Sequence, residues 1–222
     1  MRRFLLVGKT GVGKSSFVNS AFGKYIAKTL EYEACTKLVE HYAYKTPMGD
    51  ICLIDTPGLA EDDEIRDRAY LSQIRNKVDL EQIYATLYVT RLDETRFRPD
   101  EKQTLRLLTN HLGASIWKRS ILLFTFAASV PVAKRDETAR QRREHIEKFL
   151  GGLWLGNTNC PSFTDAISRL YGASLFSRRL PPTLSGHSSP SAFQSFKACW
   201  LIDNVADDWA GDGIPVLSVL TA

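Results

Sequence analysis

The sequence predicts an α/β domain: a mainly parallel central sheet with helices on both faces. Three observations predict it. Short apolar runs that read as buried strands alternate with stretches that read as helices, and that alternation requires right-handed β-α-β crossovers. The first run, "RRFLLVG", passes through a glycine-rich turn straight into a helical stretch. Another buried run, "ICLIDTPG", ends in a glycine-bearing turn.

The elements follow in order. "RRFLLVG" suits a strand buried on both faces, and "KSSFVNSAFG" follows it as a short helix. Glu31 to Lys37 has no period and reads as loop. "KLVEHYAYKT" alternates loosely like a strand, and Pro47-Met48-Gly49-Asp50 supplies a turn into "ICLID". In "EDDEIRDRAYLSQIRNKV" acids fill the first turn and Leu71, Ile74 and Val78 share one helical face. "IYATLYVTRLD" is the next strand, and "RPDEKQTLRLLTNHL" a helix that aligns Leu105, Leu108 and Leu112. "SILLFTF" is a strand, "AKRDETARQRREHIEKFLGG" a charged helix closed by glycines, and "FKACWLIDN" a last buried strand. A single domain over residues 1–222 is expected, with residues 152–195 as a partly disordered insertion before the last strand. The second half of that insertion is rich in Ser, Pro and Gly, and "FTDAISRLYGASLF" in its first half has the makings of a short helix.

Bulk properties bound the function. The chain has 222 residues, 44% hydrophobic and 24% charged, enough for a substantial core. A formal charge of +4 without a concentrated basic stripe argues against nucleic acid as a partner. The four cysteines (Cys35, Cys52, Cys160 and Cys199) form no CxxC pair, so reduced thiols are expected, with Cys52 a small core residue. No leader opens the chain, and no run reaches the roughly 18 apolar residues of a membrane span. A soluble, cytoplasmic protein is expected on those grounds.

The chemistry begins at Gly8-Lys9-Thr10-Gly11-Val12-Gly13-Lys14-Ser15, a complete G-x4-G-K-[ST] pattern between a strand and a helix. Glycines let the backbone amides wrap a phosphate chain. Lys14 offers a point charge to the β and γ oxygens, and the Ser15 hydroxyl is a ligand for Mg²⁺. This assigns the chain to the P-loop NTPases, with Lys9, Thr10, Gly11, Val12, Gly13, Lys14, Ser15 and Ser16 as candidate nucleotide contacts. Asp55-Thr56-Pro57-Gly58 closes a later strand, where Asp55 can hold the magnesium through water and the Gly58 amide can sense a γ-phosphate. The two motifs together predict a switch G domain. Its first switch loop should present a threonine to the metal: Thr36 is the assignment and Thr29 the competitor. The position after Gly58, where many such proteins have a water-orienting glutamine, is Leu59, so hydrolysis should be slow without help from a partner.

With these residues placed, the chain resembles the septin-like (paraseptin) GTPases that carry an avirulence-induced-type G domain. Within that group it is most similar to the Toc receptors of plastid outer-envelope protein import, and next to the immune-associated nucleotide-binding proteins. "VGKTGVGKSSFVNSAFG", "IDTPGL", "LYVTRLDETRFRPDEK", "IWKRSILLFT" and "CWLIDN" carry the resemblance. It covers most of Arg3 to Ala128 and resumes near Lys197. The resemblance implies GTP and GDP with Mg²⁺ as ligands. It implies a fourth motif of Thr-His-Ala type at Thr125-Phe126-Ala127, with Phe126 at the histidine position, where it can only stack on the purine. Base choice would then rest on Asp203 and Asn204, which match a Glu-Asn pair after the last strand. It implies pairing face to face, as a homodimer or with a related GTPase, in which Arg96, with Arg91 upstream, reaches the partner's phosphates. The receptors carry a C-terminal membrane anchor that "IPVLSVLTA" is too short to form. The expectation is either a chain shortened at its end or docking through a partner at the cytosolic face of an organelle outer membrane, with a role in protein import or trafficking.

Three functions remain open at this stage: a slow GTPase switch that dimerises through its nucleotide face, a non-catalytic nucleotide-loaded receptor or scaffold, and a P-loop ATPase or kinase with relaxed base choice.

Overall fold

The computed structural model describes residues 1–29, 36–45, 49–60, 64–155 and 196–201. Its elements in chain order are β1 (Arg2–Val7), α1 (Lys14–Phe22), β2 (Glu40–Tyr44), β3 (Ile51–Asp55), α2 (Glu64–Lys77), β4 (Ala85–Arg91), α3 (Pro99–Leu112), β5 (Ser120–Thr125), α4 (Val132–Leu155) and β6 (Phe196–Leu201). They form a six-stranded sheet in the order β2-β3-β1-β4-β5-β6. All neighbours run parallel except the edge strand β2, which is antiparallel to β3. The alternating, mainly parallel architecture read from the sequence is the one observed.

Strand periodicity divides the core in two. Leu5 and Val7 of β1 join Leu71, Ile74, Leu105, Leu108 and Ile146 on the face covered by α2, α3 and α4. Phe4 and Leu6 point the other way and pack with Phe17 and Val18 of α1. Burial on both faces explains why β1, β3 and β4 read as continuous apolar runs rather than alternating ones. Cys52 lies in β3 and is buried, and burial pushes its thiol up.

One boundary differs from the sequence reading. The helix α4 does not close at Gly151-Gly152 but runs on to Leu155, into the start of the expected insertion. Each glycine costs the helix about 1 kcal/mol, but Leu150 is buried and Leu153 packs against the core on the same face, which offsets that cost. The rest of residues 152–195, including the expected short helix, lies outside the described residues.

The carboxyl ends of β1, β3, β4 and β5 lie at one edge of the sheet. Order reverses around β1, which has β3 on one side and β4 on the other, so that edge is where an open α/β sheet receives a ligand.

Candidate nucleotide site

The phosphate loop leaves β1 at Gly8 and enters α1 through Gly13, whose φ of 88° is left-handed and favours glycine. No side chain caps α1 at this end, which leaves its N-terminus suited to an anion. Thr125, at the end of β5, donates from its hydroxyl to the Val12 carbonyl at 2.7 Å and lies 3.2 Å from the Thr90 carbonyl. It pins the loop to β4 and β5. Its role was not legible beforehand, because the fourth motif drew attention to base recognition rather than to this tether.

Three oxygen-bearing side chains converge beside the loop. The Ser15 hydroxyl donates to Asp55 Oδ2 at 2.6 Å and lies 2.9 Å from Thr36 Oγ1, which is 3.4 Å from the same carboxylate oxygen. Thr29 is elsewhere, its main chain bonded to the Tyr25 hydroxyl; of the two threonines, Thr36 is the one at the cluster. Asp55 is 1% exposed, and its second oxygen, Oδ1, is buried without a hydrogen-bond partner. Burial pushes the Asp55 carboxyl above its ordinary range, while Lys14 and the Ser15 hydroxyl pull it back. A buried carboxylate with an unused oxygen beside two hydroxyls fits a hard divalent cation that takes its remaining ligands from water and phosphate.

The loop itself is drawn in on its own lysine. Lys14 Nζ donates to the carbonyls of Lys9 at 2.9 Å and Gly8 at 3.3 Å. The segment after Asp55 lies directly on the loop: Thr10 N–H donates to the Leu59 carbonyl at 3.1 Å, and Leu59 N–H to the Gly8 carbonyl at 3.3 Å. Gly58 permits this approach, because a Cβ there would sit 2.2 Å from Thr10 Oγ1 and 2.4 Å from Thr10 Cα. The Thr10 hydroxyl is buried and unpartnered at this contact. Leu59 is 1% exposed and belongs to the core, so its side chain faces away from the loop. Ala60 follows in a left-handed conformation (φ 61°), held by its N–H donating to both carboxylate oxygens of Asp67 at 3.1 Å.

The Lys9 ammonium pairs with Asp100 at 2.9 Å and Glu94 at 3.4 Å. Ser16 is half-buried in the first turn of α1, and Gly11 lies exposed in the loop.

On the base side, Phe126 follows β5 with a left-handed φ of 55°, a strained conformation for a bulky residue. It is half-buried and outside the core clusters, whereas Ala127 is buried in the core. The Arg91 guanidinium sits 3.8 Å over the Phe126 ring and donates twice to Asp93, at 2.9 and 2.7 Å. One face of the ring is therefore covered by a fixed cation. Arg96 is exposed in the loop between β4 and α3, and its carbonyl accepts from Arg142 Nη1 at 3.1 Å. Asp203 and Asn204 lie outside the described residues. Among those residues, no helix is long and apolar enough to cross a membrane.

A model of the AIG1 family matches residues 2–150. The chain is 32% identical over 157 residues to translocase of chloroplast 90 of Arabidopsis thaliana, a match covering 67% of this chain and 20% of that protein. Among solved structures it is similar to a dimerization-deficient mutant of Toc33 from Arabidopsis thaliana, with 28% identity, a TM-score of 0.59 and coverage of 67% of this chain and 61% of that one. It also matches Toc33 in complex with Mg²⁺ and GMPPNP, with 22% identity, a TM-score of 0.64 and coverage of 91% and 70%. The chain spans about a fifth of the length of that chloroplast translocase.

Proposed function

The chain belongs to the AIG1 family, whose model matches residues 2–150, and from that premise we propose that it is a magnesium-dependent GTP-binding protein that hydrolyses GTP slowly and pairs across its nucleotide face. The observation that carries this reading is the convergence of Ser15, Thr36 and Asp55, with Asp55 Oδ1 buried and unpartnered. Magnesium, when bound, neutralises charge on the β and γ phosphate oxygens. Ser15 and Thr36 are its proposed ligands, with Asp55 acting through water. Lys14 swings from the Lys9 and Gly8 carbonyls to the β and γ oxygens. The Gly58 amide meets the γ-phosphate, so that gain or loss of this group shifts the segment that lies on the phosphate loop. Water attacks the γ-phosphorus, the bond to the β-γ bridging oxygen breaks, and GDP and phosphate leave.

With Leu59 buried in the core, that position has no side chain to hold the attacking water. The missing group is proposed to be Arg96 of a second copy or a related GTPase, since Arg96 is exposed on the loop at this edge of the sheet. Phe126 is proposed to stack on the purine, with Asp203 and Asn204 reading guanine. Residues 1–222 are proposed to act as one G domain, at the cytosolic face of an organelle outer membrane in protein import or trafficking. For Toc33, the existence of a dimerization-deficient mutant and of a complex with Mg²⁺ and GMPPNP supports the dimer and ligand parts of this reading.

Single-turnover hydrolysis of GTP, measured across protein concentration, tests the proposal. The rate constant should rise with concentration in the wild type and stay flat at its dilute value in Arg96→Ala. The burial of Leu59 also favours a second reading, a nucleotide-loaded scaffold. Phosphate release undetectable at every concentration would establish the scaffold and end the enzyme reading.

A further inference from the structure

Lys9 stands where three parts of the molecule meet. Its carbonyl accepts from Lys14 at 2.9 Å. Its main chain forms a parallel bridge with Leu59. Its ammonium grips Asp100 and Glu94, which flank Arg96 in the segment from β4 to α3. We propose that Glu94 and Asp100 are positioning residues that transmit the state of the phosphate loop, through Lys9, to the segment that presents Arg96. The inference rests on the proposed reading of Arg96 as the residue that meets a partner.

That segment is fixed at its back and adjustable at its front. At the back, Leu92 is buried and its N–H donates to the Thr125 carbonyl at 2.9 Å. Arg142 holds the Arg96 carbonyl, and the Phe97 ring packs edge-on against Phe149 with centroids 5.5 Å apart. At the front, Lys9 ties the segment to the phosphate loop. The contact is more than a surface ion pair, since the side chains of Lys9, Glu94 and Asp100 are 16%, 20% and 37% exposed and solvent screens such a pair incompletely. Burial works to raise the Asp100 carboxyl, but the Lys9 ammonium and the Glu101 amide outweigh it and leave it below the ordinary range.

The loop end of this link is where a triphosphate acts. A β or γ oxygen that draws Lys14 releases the Lys9 carbonyl. A γ-phosphate bound by the Gly58 amide moves the neighbour of Leu59, which is bridged to Lys9. Either event shifts the Lys9 main chain, and its ammonium carries the shift to Glu94 and Asp100, on either side of Arg96. A link of this kind makes Arg96 presentation depend on nucleotide without any ligand touching the segment.

Hydrogen exchange on the dilute protein reads this coupling without needing a dimer. When a non-hydrolysable GTP analogue with Mg²⁺ replaces GDP, exchange over residues 92–98 of the wild type should change about fivefold, the lower end of ordinary coupling between sites. In Glu94→Gln/Asp100→Asn that change should vanish, with GDP affinity within about twofold of wild type, because the altered groups carry only a positioning role. Asp100→Asn alone, which removes the shorter contact, should lose part of it. A full response of residues 92–98 in the double variant, or no response in the wild type, overturns the inference. Concentration-dependent hydrolysis by the wild type and Arg96→Ala decides the dimer reading separately, so the two can fail independently.

Discussion

Burial governs Asp55 before any ligand does. Its carboxyl is held above the ordinary aspartate range, chiefly by desolvation, with Lys14 and Ser15 only partly compensating. A carboxyl whose folded pKa is raised binds its proton more tightly folded than unfolded, so its contribution to stability falls as pH rises from the ordinary aspartate value through the folded one. Without magnesium, burying this group in place of leaving it in water is therefore a local liability at any pH above the ordinary aspartate range. Asp55→Asn removes the charge while keeping the shape, and should melt above the wild type in EDTA at pH 7. The gap should close as pH falls into the range where Asp55 takes up its proton. With Mg²⁺ and GDP the order should reverse, because the variant has lost the group that steadies the metal. A variant that melts below the wild type in EDTA at pH 7 would mean that Asp55 is stabilising without the metal. The residue types of this cluster were legible in the sequence, but the choice between Thr36 and Thr29 was not, because spacing along a loop does not fix its path. The destination of the Lys9 side chain was hidden for a related reason: a motif names a position, while the ammonium pairs with Glu94 and Asp100, which no motif marks.

Between elements, the most demanding contact is the one that seats α3 and α4 on β4. Arg142 and Glu101 are each 2% exposed. One Arg142 nitrogen lies 2.8 and 2.9 Å from the two Glu101 oxygens and 2.7 Å from Thr90 Oγ1, which itself donates to Glu101 at 2.7 Å. Burial raises the Glu101 carboxyl even with Arg142 opposing it. Such a pair is costly to break and not costly to replace. Arg142→Met should lose about 3–5 kcal/mol by leaving Glu101 buried and uncompensated, while Thr90→Val/Glu101→Leu/Arg142→Met should recover most of that loss. Urea unfolding of the two variants checks both; a single variant within about 1 kcal/mol of wild type would mean the site relaxes or hydrates on its own. Within the charged helix that contains "RQRREHIEK", one arginine is nonetheless buried, and for a physical reason. Ala139, Ile146 and Leu150 form a buried stripe at helical spacing; Arg142 and Arg143 both stand three or four residues from Ala139 and Ile146, and of the two only Arg142 is buried, against Glu101. Spacing alone does not choose between Arg142 and Arg143; the choice is made by Glu101 and Thr90, which are distant in sequence. The stripe also carries α4 past Gly151-Gly152, since it outlasts the glycines.

At the scale of the molecule, the mainly parallel sheet with helices on both faces was legible because buried apolar runs alternate with helical stretches, whereas the strand order and the antiparallel edge strand β2 were not. Base choice was not, because its expected readers are distant in sequence and one of them is an unusual residue. Phe126 now has one face against Arg91, and a ring stacked on a base is nearly blind to which purine it meets. Preference for guanine must then come from hydrogen bonds at the base edge, the role proposed for Asp203 and Asn204. Ligand-linked stability measures that preference on the intact chain. GDP with Mg²⁺ at 100 times its dissociation constant should add about 2.7 kcal/mol, which for a chain of this size raises the melting temperature by about 5–10 °C. GTP with Mg²⁺ should give a shift of the same order, and Lys14→Ala should give none with either. ADP and ATP at the same concentration should give less than half the shift of GDP, because stacking and phosphate contacts survive but the edge contacts do not. An equal shift with adenine nucleotides would leave the phosphate site standing and remove guanine from the function.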